Sequence, residues 1–460
     1  MNSMNTTVNK SQLSGWGGYR PIECRVAAPA SRSALRQMVA DRQSHPRLLM
    51  RGLGRSYGDS AVEPTGTVLL QNNLNRVRSF DHATGLLRCE AGVTLEDIIH
   101  VVLPHGWFLP TTPGTKFVTL GGAIAADVHG KNHHVDGTFG RWVQRLNLLL
   151  ADGSECECSP LEHPELFWAT IGGMGLTGVI VEAELQLRRC PSAYYHVSYR
   201  RCRNLDATLE VLAETDNSFT YSVGWIDCLG RGDRLGRSIL MLGNDAQAGD
   251  LSGELRDHPF HVPPTRRKRV PLYFPNFALN RLSVSAFNYL YYAVHPDREV
   301  VVDYDSYFYP LDGIHDWNRI YGRRGFVQYQ ALFPQATAER GLRRALETLA
   351  AFGLASFLAV IKRSGPANPA PLSYLFDGYT LALDIPNVGP RMLEMARQLD
   401  DILLAEGGRL YLAKDSLMSP DTFRAMYPRL GQFLSVKRSV DPDNRFTSAQ
   451  ARRVGLLPSS

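Results

Sequence analysis

The chain has 460 residues, of which 44% are hydrophobic and 21% charged. These proportions are typical of a folded globular protein, and the length exceeds the ~100–200 residues that one core usually organises, so we expect two packed domains. Fifty Lys and Arg against 45 Asp and Glu leave a net charge of +5, which is too small a surplus to predict nucleic-acid binding.

The N-terminal residues 1–12 are mostly polar and lack the apolar core of a secretion signal. No run of ~18 uninterrupted apolar residues follows them. The seven cysteines are mostly isolated and show no metal-knuckle or redox spacing. We therefore expect a protein that lies in the cytoplasm or at the inner face of the membrane.

Strands and short helices alternate in the first part of the chain. Ser33 is expected to cap a first helix, and Thr94 a second helix whose apolar side ends at Val102. A further short helix is predicted near 165–170. Apolar runs predict strands at 48–50, 68–70, 86–89, 142–150 and 179–187.

A first glycine-rich loop follows the strand at 48–50 directly. Its glycines, Gly52, Gly54 and Gly58, are spaced G-x-G-x-x-x-G, and Pro64 makes the following segment a poor helix, so a Rossmann site is excluded. Because glycine lets successive N–H groups converge, the loop fits a phosphate-binding nest. A tight turn between strands is the alternative.

Two more glycine-rich segments follow, at 113–134 and 172–180. Small residues from Gly121 to Ala126 allow a backbone to lie flat against a planar ring, and Thr119 can cap a helix there. Close helix packing explains the same composition. The third segment has the same two interpretations as the first loop.

Three histidines, His129, His133 and His134, lie within the second segment. We predict no metal site, because supporting ligands are absent at zinc spacing and Lys131 places a positive charge beside them. A histidine beside a lysine is better suited to an anionic or hydroxyl-rich substrate, or to acid–base chemistry.

Together these segments resemble the vanillyl-alcohol-oxidase-type FAD-binding family. The further motifs Glu165-Leu-Phe-Trp-Ala169 and Tyr411-x-Ala-Lys-Asp-Ser416 are similar to those of its decaprenylphosphoryl-ribose oxidase branch. The resemblance runs from about residue 15 to Leu457. It implies a two-domain α+β fold, with an FAD-binding domain at 1–192 and 409–460 and a substrate domain on a mainly antiparallel sheet at 193–408.

The resemblance also implies a set of cofactor contacts. Arg55 replaces the histidine that carries covalent flavin in many relatives, so the FAD is expected to be noncovalent. The implied FAD-binding residues are Arg51, Gly52, Leu53, Gly54, Arg55, Ser56, Tyr57, Gly58, Asp59, Ser60, Gly114, Thr119, Leu120, Gly121, Gly122, Ala126, Asp127, Val128, His129, Ile180, Tyr411 and Lys414.

The implied catalytic residues are Lys414, His129 and Tyr57, with Lys414 at the flavin face. The implied substrate residues are Lys131, Trp225, Phe308, Gln328, Gln330 and Lys362. Lysines can neutralise a phosphate, and glutamines can pair with sugar hydroxyls. Without the resemblance, surface lysines and a solvent-facing strand explain them as well.

The chain departs from the family at Thr380 and Ala382. Members carry Asn-x-Cys there, so this pocket has no thiol. Oxidation is expected to survive, because the flavin takes the hydride. The shape of the pocket and its reactivity toward thiol-seeking inhibitors are expected to differ.

An aromatic, amphipathic stretch runs from Pro263 to Val294 and begins with the basic tract Arg266-Arg-Lys-Arg269. Such a stretch can rest on an anionic membrane surface. A tyrosine-rich helix packed in the core, beside a solvated basic loop, is the other interpretation.

The resemblance implies oxidation of the 2′-hydroxyl of a polyprenyl-phosphoryl-β-D-ribose to the 2′-keto sugar. An NAD(P)H-dependent reductase would then complete the epimerisation to the arabinose compound. A soluble polyol or aldonolactone oxidase of the same fold and a flavin-binding protein without turnover are the alternatives.

Overall fold

The computed structural model describes residues 7–264, 267–354 and 357–458. A four-stranded sheet, a five-stranded sheet and a two-stranded pair lie before residue 192. Their strands and those beside them are β1 (Asn9–Leu13), β2 (Ile22–Ala27), β3 (Leu48–Arg51), β4 (Thr67–Leu70), β5 (Val77–Phe80), β6 (Leu86–Glu90), β7 (Trp107–Phe108), β8 (Val143–Leu149), β9 (Glu155–Cys158), β10 (Val179–Gln186) and β11 (Arg188–Arg189).

The helices of this region are short. They are α1 (Arg32–Ala40), α2 (Leu95–Val102), α3 (Leu120–Ala125), α4 (His133–Asp136) and α5 (Pro164–Thr170). The expected cap of α2 is confirmed, because Thr94 and Asp97 form a reciprocal capping box. The expected cap of α1 is wrong: Ser31, whose backbone is extended, accepts from the Ala34 N–H at 3.1 Å, and Ser33 lies inside the first turn.

The first sheet has the order β1-β2-β4-β3, in which β2, β4 and β3 are parallel. The second sheet, β5-β6-β10-β8-β9, is antiparallel. The first glycine-rich loop leaves the carboxyl end of β3. A ligand held by that loop therefore lies at the edge of the first sheet.

The rest of the chain is built on a larger sheet. Its strands and the smaller ones near it are β12 (Tyr194–Cys202), β13 (Tyr221–Ile226), β14 (Ser238–Asp245), β15 (Lys268–Arg269), β16 (Arg298–Asp303), β17 (Ile314–His315), β18 (Phe326–Pro334), β19 (Ala359–Ser364), β20 (Gly378–Pro386) and β21 (Arg409–Leu410). The order β16-β12-β14-β13-β19-β20-β18-β21 is antiparallel throughout.

Helices cover one face of this sheet. The helices after β12 are α6 (Leu205–Thr215), α7 (Glu254–Asp257), α8 (Arg281–Val294), α9 (Tyr304–Phe308), α10 (Ala338–Phe352), α11 (Pro390–Ala405), α12 (Pro420–Met426), α13 (Leu430–Val440) and α14 (Ala449–Arg453). Helix α6 packs on β12 and β14, and helices α10 and α11 pack on the sheet residues Val327, Tyr329, Leu381 and Leu383. Side chains alternate along a strand, so the residues between these face the other way.

The predicted α+β fold is confirmed, and the large sheet is antiparallel. The C-terminal tail returns to the first region, where Phe446 forms a bridge with Leu48 and Arg453 pairs with Asp59. The division into domains at 192 and 409 stays a proposal. None of the helices within the described residues is long and apolar enough to cross a membrane.

Candidate active site

The uncovered face of the large sheet carries a row of polar side chains, which we call the pocket face. Gln328 on β18 lies opposite Asp384 on β20, and its Nε2 donates to Asp384 Oδ1 at 2.5 Å. Lys362 on β19 lies opposite Thr380 on β20. Strand alternation and register thus bring together residues that are distant in sequence, such as Gln328 and Asp384.

Lys414 reaches this face from the C-terminal tail. Its Nζ lies 3.9 Å from the centroid of the Tyr57 ring. The Tyr57 N–H donates to the Ala413 carbonyl at 2.9 Å, and the Tyr411 N–H donates to the Gln330 carbonyl at 3.1 Å. The tail is therefore fixed both to the first glycine-rich loop and to β18, with Lys414 between them.

The cationic groups of the site have lowered pKa values. Burial lowers the pKa of Lys414 to about 7, and Asp384 opposes that shift. Burial and the nearby Lys362 lower the pKa of Lys131 to about 7, while burial lowers that of Lys362 to about 8. Removing charged groups from water disfavours the charged form, so a bound anion would favour the ammonium ions.

His129 is buried on the same side. Its Nε2 lies 2.9 Å from Gln330 Nε2, while its Nδ1 is buried without a partner among the described residues. Burial, together with the charge of Lys362, holds the pKa of His129 well below its usual range. The imidazole is therefore neutral, and Nε2 accepts from Gln330, so Nδ1–H is left as a donor.

The other two histidines have structural partners. His133 Nδ1 accepts from the Gly365 N–H at 2.9 Å, and His134 Nε2 lies 3.0 Å from the Phe219 carbonyl. These contacts join α4 to the residues next to β19 and β13 of the large sheet. They account for both side chains by packing and hydrogen bonding.

The first glycine-rich loop presents unused donors. Within the described chain, no protein acceptor is in hydrogen-bonding geometry for the N–H groups of residues 52–56. Gly54 has φ +66°, the left-handed region in which glycine is favoured. Converging N–H groups bind anions, so this loop fits the diphosphate of FAD.

The charged side chains of the first glycine-rich loop contact the surrounding protein. Arg51 donates to the carbonyls of Ala61 and Ser14, and Arg55 stacks 4.0 Å from the Trp16 ring centroid. Asp59 accepts two hydrogen bonds from Arg453. These side chains hold the backbone in place, while Leu53 is partly exposed and the buried Ser60 Oγ has no partner among the described residues.

The second glycine-rich segment lies beside the first. Thr119 caps α3 by accepting from the Gly122 N–H at 3.2 Å, and a Cβ on Gly52 would lie 2.3 Å from the Thr119 hydroxyl oxygen. The Tyr411 hydroxyl donates to the Ala126 carbonyl at 2.7 Å. The predicted residues Leu120, Gly121, Val128 and Ile180 are buried around this junction.

Asp127 and Lys131, two of the predicted contact residues, have side-chain partners within the protein. The Asp127 carboxylate accepts hydrogen bonds from Asn368, Ser373 and the Gly140 N–H, so its side chain is held by groups of the protein interior. Lys131 Nζ donates to the Tyr307 carbonyl and lies 3.9 Å from that ring centroid.

Two aromatic residues complete the predicted substrate set. Phe308 belongs to the aromatic cluster beneath Lys131. Trp225 lies on β13 opposite Val360, and its Nε1 donates to the Phe357 carbonyl at 2.9 Å. Trp225 is thereby fixed at the edge of the pocket face.

The site also contains residues whose roles sequence reasoning missed. Asp384 is buried, and burial raises its pKa to about 7. The Tyr321 hydroxyl donates to its Oδ2 at 3.3 Å, and Tyr374 stacks on Tyr411. The sequence signal that could have identified Asp384 is that it is the one charged residue in the strand segment 379–386. Ala382, in place of the family thiol, lies opposite Gln330.

Gly114 provides a direct test of the cofactor site. A Cβ added there would meet no protein atom within 4 Å, so Gly114→Ala is expected to leave the stability of the apoprotein unchanged. If FAD lies against this backbone, FAD affinity is expected to fall about tenfold, measured by fluorescence titration. Gly431→Ala, equally free of contacts, is the control and should bind FAD normally.

Comparison with known proteins agrees with this geometry. A family model for the FAD binding domain matches residues 25–159, and one for D-arabinono-1,4-lactone oxidase matches residues 383–454. The decaprenylphosphoryl-beta-D-ribose oxidase of Mycolicibacterium smegmatis is 37% identical over 451 residues, which cover 97% of this chain and 98% of that protein. The L-gulonolactone oxidase of Bos taurus is 32% identical over 161 residues, 34% of this chain and 36% of that enzyme.

Proposed function

Because the chain belongs to the family of decaprenylphosphoryl-β-D-ribose oxidase, we propose that it oxidises the 2′-hydroxyl of a polyprenyl-phosphoryl-β-D-ribose to the 2′-keto sugar. The chain is an FAD-dependent oxidoreductase, as the motifs predicted. The observation that carries the substrate proposal is the set of three lysines with lowered pKa values beside the amide-rich pocket face.

The lysines match the charge of a sugar phosphate. We assign Lys362 and Lys131 to the phosphate, because both ammonium groups are desolvated and Lys362 repels Lys131 in the free protein. A phosphate relieves that repulsion and restores both charges. The amides of Gln328 and Gln330 offer donors and acceptors to the ribose hydroxyls.

Lys414 is the proposed proton acceptor. With a pKa of about 7, a large fraction of its amine is neutral at neutral pH, which suits a general base. Lys414 Nζ takes the proton of the 2′-hydroxyl, and Asp384 stabilises the resulting ammonium. His129 is less suited, because its Nε2 lone pair faces the Gln330 amide. When bound, FAD accepts the hydride that leaves the carbinol carbon.

The substrate proposal is tested by anaerobic mixing of the holoenzyme with candidate sugars. We expect a prenyl-phosphoryl ribose to bleach the flavin absorbance and free pentoses to leave it unchanged. The match of residues 383–454 to a lactone oxidase model favours an aldonolactone or polyol oxidase as the second candidate. Bleaching by a free aldonolactone, with none by the lipid phosphate, would select that alternative. The absence of bleaching by any of them would fit the flavin-binding protein without turnover.

Noncovalent attachment of FAD is a further part of the proposal. Arg55, at the position where many relatives bear the flavin-linked histidine, is stacked between Trp16 and Phe117, and guanidinium is a poor nucleophile at any accessible pH. Acid precipitation of the purified holoenzyme is expected to leave the yellow colour in the supernatant. Colour retained in the pellet after denaturation would indicate a covalent bond.

The reaction product defines a partner. A 2′-keto sugar is a substrate for a hydride donor, so we propose that an NAD(P)H-dependent keto-sugar reductase consumes it and yields the arabinose compound. The location in the cytoplasm or at the inner membrane face stays a prediction.

A further inference from the structure

Helix α8 is apolar on two opposite sides. Its inner side buries Val284 and Asn288, and Asn288 Nδ2 donates to Asp227 Oδ1 at 2.7 Å. Its outer side exposes Leu282, Leu290 and Val294, which lie at helical spacing. The interpretation of this helix as a core element is therefore wrong. A surface helix normally has a polar outer side, so an apolar one indicates contact with an apolar partner.

The exposed apolar side chains are concentrated in this segment. Seven large apolar side chains of the described residues are at least 60% exposed. Leu161 is one, and the other six are Leu272, Phe277, Leu282, Tyr289, Leu290 and Val294. We call this segment, 267–294, the apolar surface.

Its charges have a single sign. Residues 263–294 contain five Lys or Arg and no Asp or Glu. Lys268 and Arg269 are exposed, and Arg323 lies 5.3 Å from the ring centroid of Tyr273 in the same area. Arg267 pairs with Glu96 and Arg269 with Asp316, both outside the segment, so Lys268 and Arg323 are the cations offered here to a bilayer. Arg266 lies outside the described residues. Apolar side chains flanked by cations complement a bilayer that contains anionic lipids.

The inner side of α8 leads to the pocket face. The Tyr291 ring lies 4.8 Å from Trp225, and the Phe287 ring lies 5.3 Å from Phe357. Phe357 in turn lies 5.9 Å from Tyr321, whose hydroxyl donates to Asp384. A continuous series of aromatic side chains thus connects the apolar surface with the pocket face.

We propose that the apolar surface docks on an anionic lipid bilayer and that the prenyl chain of the substrate passes along α8 from the bilayer to the pocket face. The proposal rests on the proposed function for its lipid substrate. Docking keeps the prenyl chain in an apolar medium while the sugar phosphate enters the lysine-lined site. An aqueous transfer would expose that chain to water.

Vesicle flotation of the holoenzyme tests the docking surface. We expect binding to vesicles of phosphatidylcholine mixed with phosphatidylglycerol and weaker binding to phosphatidylcholine alone. The double variant Leu282→Ser/Leu290→Ser is expected to lower the affinity for the mixed vesicles by at least about tenfold. Leu161→Ser, which changes an equally exposed leucine elsewhere, is the matched control and should bind like the native protein.

Turnover measurements with two substrates distinguish a defect in membrane docking from a defect in the oxidation itself. With a short-chain, water-soluble prenyl-phosphoryl ribose, the double variant should work within about twofold of the native rate, whereas with a long-chain substrate in vesicles it should be strongly impaired. Equal vesicle binding by the double variant and the native protein would overturn the proposal. The proposal would also be overturned if neither protein bound vesicles and the native protein formed a dimer that the double variant did not form. A second copy of the chain would then cover the surface. Vesicle binding without oxidation of either substrate would contradict the proposed function alone.

Discussion

Replacing Lys414 by methionine is expected to lower kcat by about 10²–10³-fold, because the substitution removes the proposed acceptor of the hydroxyl proton while keeping an aliphatic stem over the Tyr57 ring. The native kcat/KM should rise as the pH increases through about 7, since the neutral Lys414 amine is the active form. It should fall again at higher pH, because Lys362, with a pKa of about 8, loses the charge that binds the phosphate. The variant should lose this rise. Stopped-flow measurement of flavin reduction over a pH series checks both effects.

Two further variants separate the roles of the lysines and of Asp384. Lys362→Met is expected chiefly to raise KM, because it removes a phosphate contact. In Asp384→Asn the carboxylate that raises the pKa of Lys414 is lost, so the rise in kcat/KM should move to lower pH. Full activity of Lys414→Met with bound FAD would exclude Lys414 as the proton acceptor.

Gly58→Ala is expected to destabilise the folded protein by about 3 kcal/mol and to release the cofactor. A Cβ at this position would lie 1.9 Å from the carbonyl oxygen of Asp415. Because that oxygen belongs to the backbone, no change of side-chain rotamer relieves the clash. The first glycine-rich loop and the tail that carries Lys414 would be forced apart. Thermal unfolding followed by flavin fluorescence measures both the lower Tm and the released FAD.

Gly431→Ala is the control for this effect too. It lies in α13 with no atom within 4 Å of an added Cβ, and alanine is favoured over glycine in helices by about 0.5–1 kcal/mol. Its Tm should stay equal or rise slightly. A Gly58→Ala protein with native Tm and bound FAD would show that the loop and tail can separate without harm.

Much of the fold and site could be predicted from local pattern. The glycine-rich loops, the Thr94 cap and the strand alternation at Gln328 and Gln330 each depend on a few neighbouring residues, and the structure has them as expected. The resemblance supplied what local pattern left open, notably Lys414.

The role of Asp384 depended on tertiary register, which local pattern does not specify. Its carboxylate meets Gln328 because β18 pairs with β20 in one register, and a shift by one residue would turn it to the helix-covered face. The error at α1 has a smaller cause. Two serines two residues apart both suit a cap, and only the extended backbone of Ser31 decides between them.

The contacts of α14 have a consequence for the rigidity of the turn that carries Lys414. Gln450 donates to the Leu412 carbonyl, and Arg453 joins Asp59 to Asp415. Helix α14 thus adds contacts to the lysine-bearing turn beyond those from the first glycine-rich loop and β18. A variant without α14 would keep every glycine of that loop and lose these contacts, so the proposed proton acceptor would be held less rigidly.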